Sequence, residues 1–216
     1  AAAAFELSAD DVFLPGSSMS HIGSFLWALT TLSVGGKVVV ARALDSHELL
    51  PLLREHRPTV LTMLPAGLLA LIRDHDLQPD DFDSLRVCRA ASDKVSTELL
   101  TEFAALAGFP IIEAYGMTEV GTATLNPPAG VVKPGSIGTP TAGFSIALRA
   151  DDGSQVEVEQ VGRIWIRTPA QMIGYWDAPD ATAEVVVDGW LDSGDLARAD
   201  EDGYLWFFGR KKQVIV

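Results

Sequence analysis

The segment TVLTMLPAGLLALIRD, residues 59–74, decides the fold class because a short apolar strand passes directly into a helix. Residues 59–63 are mostly apolar or β-branched, which favours a strand. Pro65 then stands in the first turn of the predicted helix, where a missing N–H is tolerated. The apolar side of that helix consists of Leu68, Leu69, Leu71 and Ile72. The segment predicts one strand–helix step of a repeating pattern.

The same alternation extends in both directions along the chain. Further strands are predicted at residues 37–41, 85–91 and 110–114. Further helices are predicted from the capping pair Asp45 and Ser46 to about His56, and from Ser96 to Leu106 before Gly108. This repeat predicts a parallel sheet with flanking helices and right-handed crossovers. Because such sheets bind ligands at the carboxyl ends of their strands, the loops after those ends are the candidate site.

The pattern changes after about Asn126. Pro and Gly residues punctuate residues 127–140, and short β-like runs follow, with Asp-Gly turns between them. The runs are residues 144–149, 161–167, 196–199 and 204–208. This predicts a second, mostly antiparallel unit that is small and β-barrel-like. The expected parts are a tag or poorly defined lead-in at 1–9, an α/β subdomain at 10–128 and a β-rich subdomain at 129–209.

Charge and cysteine content exclude several kinds of partner. The formal net charge is -13, so we expect no attraction to nucleic acid or to an anionic membrane. The single Cys88 cannot form an internal disulfide and fits a reducing compartment. No apolar run is long enough to span a membrane, and no secretory leader pattern is present. We therefore expect a cytoplasmic protein without a nucleic-acid or membrane partner, and the oligomeric state stays undetermined.

A string of chemically diverse residues follows the strand predicted at residues 110–114. Tyr115 could stack on a flat heterocycle, and Gly116 would allow a close approach of the backbone. Thr118 could donate to a phosphate oxygen, and Glu119 could hold a hard cation such as Mg²⁺. A plain strand-to-loop turn, with a packed Tyr and a solvated Glu, has the same composition. The residues alone leave both interpretations open.

Two later clusters carry the same ambiguity. Asp195 closes the string GWLDSGD, residues 189–195, where a carboxylate at the start of a β run could accept both hydroxyls of a ribose. Arg210 lies in GRKK, residues 209–212, and could donate to a ribose or phosphate oxygen. The alternative for Asp195 is a solvated residue in a capped turn. The alternative for Arg210 is a basic surface patch.

The order and spacing of these strings identify a family resemblance. YGMTE at 115–119 is followed by PGSIGTP at 134–140, GYW at 174–176, GWLDSGD, DGY at 202–204 and GRKK. In this order they resemble the adenylate-forming superfamily of acyl- and aryl-CoA ligases, firefly-luciferase-like enzymes and peptide-synthetase adenylation domains. The resemblance runs from about Asp10 to Val216 and is strongest to a fatty-acid or acyl-CoA ligase. It implies part of that family's large domain.

The resemblance implies a role for each matching position of a nucleotide site. Tyr115 would stack on adenine, Thr118 would contact the phosphates, and Glu119 would bind Mg²⁺, so that Thr118 and Glu119 are the implied catalytic pair. Asp195 and Arg210 would hold the ribose hydroxyls. The other positions implied to contact the cofactor are Ala91, Ser92, Glu113, Ala114, Gly116 and Met117.

On the acyl side, the resemblance places His21 and Gly116 beside the substrate, although His21 could equally cap a helix. Residues 24–29 carry no carboxylate, whereas amino-acid-activating members usually place an aspartate there. Their apolar composition favours a fatty or aryl acid, although a buried helix has the same composition. Lys212 resembles the family's hinge residue, so residues 210–216 would begin the hinge to a C-terminal domain.

The implied function is ATP-dependent activation of a carboxylic acid to acyl-AMP, followed by transfer to coenzyme A. ATP, Mg²⁺ and coenzyme A are the implied cofactors. A carrier-protein phosphopantetheine is the alternative acceptor. A non-catalytic relative that binds a nucleotide or acyl group is the alternative class.

The sequence departs from the family pattern in two large parts and three small ones, one of which is Gln213 where an acid is common. The glycine-rich phosphate loop with its lysine is expected before His21, but residues 15–18 read as a turn. The small domain with the catalytic lysine would follow Lys212. Ser193 replaces the usual Thr, and Arg163 replaces a usual Glu on what reads as a surface turn.

We therefore predict that these 216 residues by themselves give no measurable ATP–pyrophosphate exchange. Preorganised positive charge is usually the largest catalytic contribution to such transfers, and the expected lysines are not among these residues. The measurement is exchange at saturating ATP and Mg²⁺ with a panel of carboxylic acids. Exchange clearly above the rate without protein contradicts the prediction.

Overall fold

The structure is a computed structural model that describes residues 2–74, 77–90 and 94–210. The chain forms two compact units. Unit 1 contains Ala1–Ala114 and Asn126–Gly135, and unit 2 contains Tyr115–Leu125 and Ser136–Val216. The sequence suggested one boundary near residue 128, whereas each unit is in fact made of two chain segments. In the described ranges, every helix is too short or too polar to cross a membrane.

Unit 1 is built on parallel strands. They are β1 (Val12–Gly16), β2 (Lys37–Val38), β3 (Val60–Met63), β4 (Val87–Ala90) and β5 (Ile112–Met117), the last of which continues into unit 2. They lie in the order β2, β1, β3, β4, β5 and all pair in parallel. Every residue of β3 and β4 is buried, which explains their lack of polar alternation. The predicted parallel α/β unit is confirmed.

The helices of unit 1 begin and end at local signals. They are α1 (Ala2–Phe5), α2 (Ile22–Ser33), α3 (Ser46–His56), α4 (Pro65–Asp74) and α5 (Thr97–Ala107), with a 3-10 helix at Pro79–Phe82. The Asp45 side chain caps α3 by accepting from the Glu48 N–H, as predicted. The Ser96 side chain caps α5 in the same way, and Gly108 ends it in the left-handed conformation.

β1 was not predicted, because Pro15 and Gly16 were interpreted as a turn. In the structure Pro15 lies opposite Thr62 of β3, inside the sheet. β2 pairs only with Val12 and Phe13, so the missing N–H of Pro15 removes no hydrogen bond to β2. The interpretation of residues 15–18 as a turn was wrong for Pro15 and Gly16.

The expected lead-in at residues 1–9 lies within unit 1, and Phe5 is buried there. The Phe5 ring stacks on Trp27 of α2, with centroids 4.0 Å apart and an interplanar angle of 4°. Both rings and Leu7 are buried. A single aromatic after a run of alanines gives no periodic signal, so the sequence pattern could not assign it to the core.

A buried carboxylate joins three strands at their starting ends. Asp11 precedes β1, Thr59 precedes β3 and Arg86 precedes β4. Arg86 donates to Asp11 Oδ1 at 2.8 Å and Oδ2 at 2.7 Å, and Thr59 Oγ1 donates to Oδ1 at 2.6 Å. Burial alone would raise the pKa of Asp11, but these hydrogen bonds and one from the Ser8 N–H outweigh it and lower the pKa to about 2.

Unit 2 is formed mainly by an antiparallel sheet. Its further elements are β6 (Gly121–Leu125), β7 (Thr139–Pro140), β8 (Ser145–Arg149), β9 (Gly162–Arg167), α6 (Pro179–Val185), β10 (Val186–Val187), β11 (Trp190–Ala199) and β12 (Leu205–Arg210). The main sheet runs β10, β11, β9, β8, and β12 also pairs with β11. It curls into a half-barrel, and the predicted β unit is confirmed.

β11 is longer than predicted and contains an irregularity. The sequence suggested a strand at 196–199, whereas β11 begins at Trp190 and includes the whole GWLDSGD string after Gly189. Its pairing with β9 shifts between Asp192 and Leu196, and Gly194 lies there at φ +72°. This is a β-bulge, which redirects neighbouring side chains. The predicted run at 196–199 is only the C-terminal end of the strand.

We predict that Asp11→Asn lowers the free energy of unfolding by about 2 kcal/mol at pH 6, since the carboxylate pKa falls from 3.8 to about 2 on folding. A lowered folded-state pKa stabilises the fold above pH 3.8, and that contribution is lost as the pH falls through about 2. Urea unfolding at several pH values measures this difference.

The exposed neighbour Asp10 provides the matched control, and Asp10→Asn should change the free energy of unfolding by less than about 0.5 kcal/mol. A difference between wild type and Asp11→Asn that stays constant from pH 6 to pH 2.5 would refute the assignment.

Candidate functional site

Three of the predicted site residues meet in unit 2. The Tyr115 hydroxyl donates to Asp195 Oδ2 at 2.7 Å, and Arg210 Nε donates to Asp195 Oδ1 at 3.1 Å. Asp195 on β11 lies directly opposite Arg210 on β12, which explains the ion pair. Asp195 is only 4% exposed, whereas the Arg210 side chain is 59% exposed. Each carboxylate oxygen keeps a second lone pair that could accept from a ligand hydroxyl.

The β-bulge of β11 fixes the backbone at Asp195. The Asp195 N–H donates to Ser193 Oγ at 3.1 Å, and that hydroxyl donates to the Ile164 carbonyl of β9 at 2.8 Å. The Gly194 N–H donates to Asp192 Oδ1 at 2.9 Å. The hydroxyl at Ser193 therefore links the bulge to β9.

Arg163 was interpreted as part of a surface turn, and this was wrong. It lies on β9, opposite Leu196 of β11, and donates from Nη1 to Asp192 Oδ2 at 2.7 Å. A second contact reaches Asp151 Oδ1 at 3.2 Å. Arg163 and Asp192 together support the bulge from the side opposite Ser193, a contact that no local sequence signal indicated.

Tyr115 is held in place through both its hydroxyl and its ring. Its ring is 9% exposed and lies 5.9 Å from the Phe207 ring, centroid to centroid. Burial, and then the charge of Asp195, raise the pKa of Tyr115 well above its ordinary value, so the phenol stays a hydrogen-bond donor. The observed contact orients Asp195. Stacking on adenine stays a prediction.

The rest of the YGMTE string forms the end of β5 and the turn to β6. Gly116 needs its missing side chain because a Cβ would collide with the Gly121 carbonyl of β6. The close approach expected at Gly116 is therefore to this chain's own backbone. Met117 packs partly against the core of unit 2, and Thr118 in the turn is exposed.

Glu119 is anchored in the same turn. The Tyr175 hydroxyl donates to Glu119 Oε1 at 2.8 Å, and the Met172 N–H donates to the Glu119 carbonyl at 2.7 Å. Burial, and then Glu119, raise the pKa of Tyr175, so this phenol also stays a donor. The contact joins the GYW string to the YGMTE string through two residues that lie 56 positions apart in the chain.

Within the described ranges, no group of three or more His, Cys, Asp or Glu side chains could hold a metal ion. Glu119 is a lone carboxylate beside the exposed hydroxyl residue Thr118. Mg²⁺ usually keeps several waters and takes only one or two protein carboxylates together with substrate phosphates. The donor set therefore fits a cation that arrives with a phosphate ligand.

Glu113 and Ala114 lie in unit 1, on the buried part of β5. The Glu113 carboxylate accepts from the Gly135 N–H, and its carbonyl accepts from the Asn126 N–H and side-chain amide. Burial raises the pKa of Glu113 to about 7, although the Gly135 N–H acts against it. These contacts hold segment 126–135 against β5. A cofactor contact at Glu113 or Ala114 stays a prediction.

His21 is the capping residue of α2. Its Nδ1 accepts from the Gly23 N–H at 3.3 Å, and the side chain is exposed. His21 therefore has the helix-start role that the sequence left open as an alternative. An exposed imidazole can still contact a ligand, so the substrate role stays a prediction. The predicted residues Ala91, Ser92 and Lys212 lie outside the described residues.

The family is established by comparison with known proteins. The family model for AMP-binding enzymes matches residues 1–176. The chain therefore belongs to the AMP-binding enzyme family, as its motif order predicted.

Relatives of the chain act on different acids and acceptors. The chain is 34% identical over 211 residues to a fatty acid–[acyl-carrier-protein] ligase of Streptomyces coeruleorubidus, covering 95% of this chain and 41% of that protein. It is 34% identical to the indoleacetate–CoA ligase of Aromatoleum aromaticum, covering 98% of this chain and 42% of that protein. The chain thus spans about two fifths of their length.

The fold also matches solved structures. ATP-bound MatB from Rhodopseudomonas palustris superposes with a TM-score of 0.93 and 27% identity, covering 100% of this chain and 43% of that one. This agrees with the predicted fold, a part of the large domain of an adenylate-forming enzyme.

We predict that Tyr115→Phe lowers the free energy of unfolding by about 1–3 kcal/mol, because it leaves one oxygen of a buried carboxylate without its donor. Tyr175→Phe removes a hydroxyl–carboxylate bond at an exposed position and should cost less than about 1 kcal/mol. Urea unfolding followed by tryptophan fluorescence compares the two variants. If both variants lose the same free energy of unfolding, the buried Tyr115–Asp195 hydrogen bond stabilises the fold no more than the exposed Tyr175–Glu119 hydrogen bond does.

Proposed function

We propose that the chain is the nucleotide-binding part of an AMP-forming acid–thiol ligase, and that the intact enzyme converts a carboxylic acid to acyl-AMP and then to a thioester. The observation that carries this proposal is the buried Asp195, oriented by Tyr115 and Arg210 on a β-bulge. Donors of this kind keep a buried carboxylate in a fixed orientation, and a carboxylate is a strong acceptor for ribose hydroxyls.

The nucleotide contacts proposed at Tyr115, Asp195 and Arg210 come from unit 2. Asp195 accepts from the ribose hydroxyls, and the exposed Arg210 donates to a ribose oxygen while keeping its bond to Asp195. The Tyr115 ring and the backbone around Gly116 and Met117 flank the adenine. Since the Tyr115 hydroxyl is bound to Asp195, the same side chain would set the relative positions of base and ribose contacts.

The phosphate end is assigned to the turn between β5 and β6. Thr118 is exposed and can donate to a phosphate oxygen. Glu119, held by Tyr175, would be the protein ligand of Mg²⁺, which would offset the negative charge that develops on the phosphates. The acid's carboxylate oxygen attacks the α-phosphorus of ATP, and pyrophosphate leaves. The sulfur of a thiol then attacks the acyl carbon and releases AMP.

Coenzyme A is the proposed thiol, with a carrier-protein phosphopantetheine as the alternative. The names of the relatives include both kinds of acceptor, which is consistent with either choice.

We propose His21 and Gly116 as contacts of the acid, and a cytoplasmic location. A relative that binds without turnover is disfavoured because Tyr115, Asp195, Arg210, Thr118 and Glu119 are all retained.

The test is the binding of a non-hydrolysable acyl-AMP mimic, measured by calorimetry. Asp195→Asn should weaken binding by about 10–100-fold, because a hydrogen bond to a charged group contributes about 1.5–3 kcal/mol. Asp188→Asn is the control. It makes the same chemical change in the same unit, but Asp188 is exposed in a left-handed turn that Asn also tolerates.

Binding that Asp195→Asn removes and Asp188→Asn preserves supports the proposed function. No binding by the folded wild-type chain, or equal binding by all three proteins, overturns it for this chain. Circular dichroism and urea unfolding confirm that each variant is folded before titration.

A further inference from the structure

Segment 173–178 of unit 2, which contains the GYW string, is not held in place by apolar packing. The side chains of Ile173 and Trp176 are fully exposed, and Tyr175 is exposed as well. A segment that leaves its large side chains in water gains little free energy from burial. Its conformation therefore depends on the hydrogen bonds that the segment makes with the rest of unit 2.

A chain of hydrogen bonds runs from α6 through this segment to Glu119. The Thr182 hydroxyl on α6 accepts from the Tyr175 N–H at 2.9 Å and donates to the Ala178 carbonyl at 3.0 Å. The Tyr175 hydroxyl then donates to Glu119 Oε1 at 2.8 Å. All four residues lie in unit 2. Because Tyr175 is bound both at its backbone and at its hydroxyl, α6 sets where that hydroxyl meets Glu119.

The Thr182 side chain is specifically suited to this position. Its hydroxyl accepts one hydrogen bond while it donates another, which no apolar side chain of the same shape can do. Gly174 packs directly against it, since a Cβ on Gly174 would lie 3.1 Å from Thr182 Oγ1 and 3.2 Å from Thr182 Cγ2. The backbone of Gly174 also has φ +155°, which favours glycine. The glycine of GYW thus leaves room for the threonine of α6.

The carboxylate of Glu119 is held through one oxygen only. Oε1 accepts from Tyr175, and no described residue donates a hydrogen bond to Oε2. An unrestrained glutamate loses much side-chain freedom when it becomes a metal ligand, and this opposes binding. A carboxylate that a hydrogen bond already orients loses less. Partners that orient a metal ligand in this way commonly change metal affinity by about 10–100-fold.

We propose that Thr182 and Tyr175 are positioning residues for the Mg²⁺ contact of Glu119. In this arrangement α6 fixes Tyr175, and Tyr175 orients Glu119 while leaving Oε2 to bind the cation that arrives with the nucleotide phosphates. The inference rests on the proposed function, which assigns Glu119 to Mg²⁺. It extends the phosphate end of the site to a helix that contributes none of the nucleotide contacts proposed above.

The experiment measures how much Mg²⁺ strengthens the binding of a non-hydrolysable ATP analogue. Calorimetric titrations of the chain in excess Mg²⁺ and in excess EDTA give two dissociation constants and their ratio. Thr182→Val keeps the shape of the side chain but removes the hydroxyl, and it should reduce the gain from Mg²⁺ about tenfold. Thr182→Ser keeps the hydroxyl and should retain the wild-type gain.

A matched control separates positioning from a general loss of structure. Thr101 donates to the carbonyl of the residue four positions earlier, as Thr182 does, but it lies on α5 in unit 1. Thr101→Val should therefore leave the gain from Mg²⁺ unchanged. If Thr182→Val weakens binding equally in Mg²⁺ and in EDTA, the threonine has a structural role only, and the proposal is overturned.

A double-mutant cycle tests whether the two positioning residues act in series. Tyr175→Phe should reduce the gain from Mg²⁺ about as much as Thr182→Val, and both changes together should reduce it no further, because each breaks the same chain of hydrogen bonds. Binding of Mn²⁺ in place of Mg²⁺, followed by electron paramagnetic resonance with the analogue present, should show the same pattern. Effects that multiply in the double variant would overturn the proposal, because the two residues would then act independently.

Glu119→Gln distinguishes a failure of this proposal from a failure of the proposed function. If Glu119→Gln reduces the gain from Mg²⁺ and Thr182→Val does not, the positioning role is overturned and the metal contact stands. If Glu119→Gln has no effect, or if the wild-type chain gains nothing from Mg²⁺, the metal contact and the positioning role are both overturned. Binding of the acyl-AMP mimic to wild type and Asp195→Asn still tests the nucleotide site independently.

Discussion

The hydrogen bond between Tyr115 and Asp195 is the contact on which the candidate nucleotide site depends. It joins the end of β5 to the bulge of β11, 80 residues later in the chain. Asp195 is buried, and a buried carboxylate is tolerated only when its oxygens are bonded. Tyr115 and Arg210 supply those bonds, and Ser193 fixes the backbone beside them. The carboxylate is thus oriented without the ligand, which is what preorganised recognition requires.

Two arginines at β4 differ in their surroundings, since Arg86 precedes the strand and Arg89 lies within it. Arg86 is neutralised by Asp11 and joins the starting ends of three strands. Arg89 has no such partner among the described residues, although the chain carries a net charge of -13. The surroundings of Arg89 therefore differ from those of Arg86, because its burial is not offset by an ion pair with a described carboxylate.

The fold could be predicted where the signal was local, and not where it came from distant neighbours. The caps at Asp45 and Ser96 bond within their own helix turns, so the residue type and spacing were sufficient. Pro15 in β1 is accepted because β2 ends before it, which depends on a separate segment of chain. The length of β11 depends on pairing with β9 across its bulge. Secondary-structure propensities along the sequence predict neither the extent of β2 nor the pairing of β11 with β9.

The order of six short motifs was enough for the sequence to determine the family, the α/β and β units, and the candidate nucleotide residues Tyr115, Thr118, Glu119, Asp195 and Arg210. Only the tertiary structure decided how they are held: Tyr115 bonds Asp195, Tyr175 bonds Glu119, and Arg163 supports the bulge. It alone also placed Arg89 in the interior beside Thr62 and Trp27. The physical reason is that motif order follows the chain, whereas burial and hydrogen bonding depend on residues that only folding brings together.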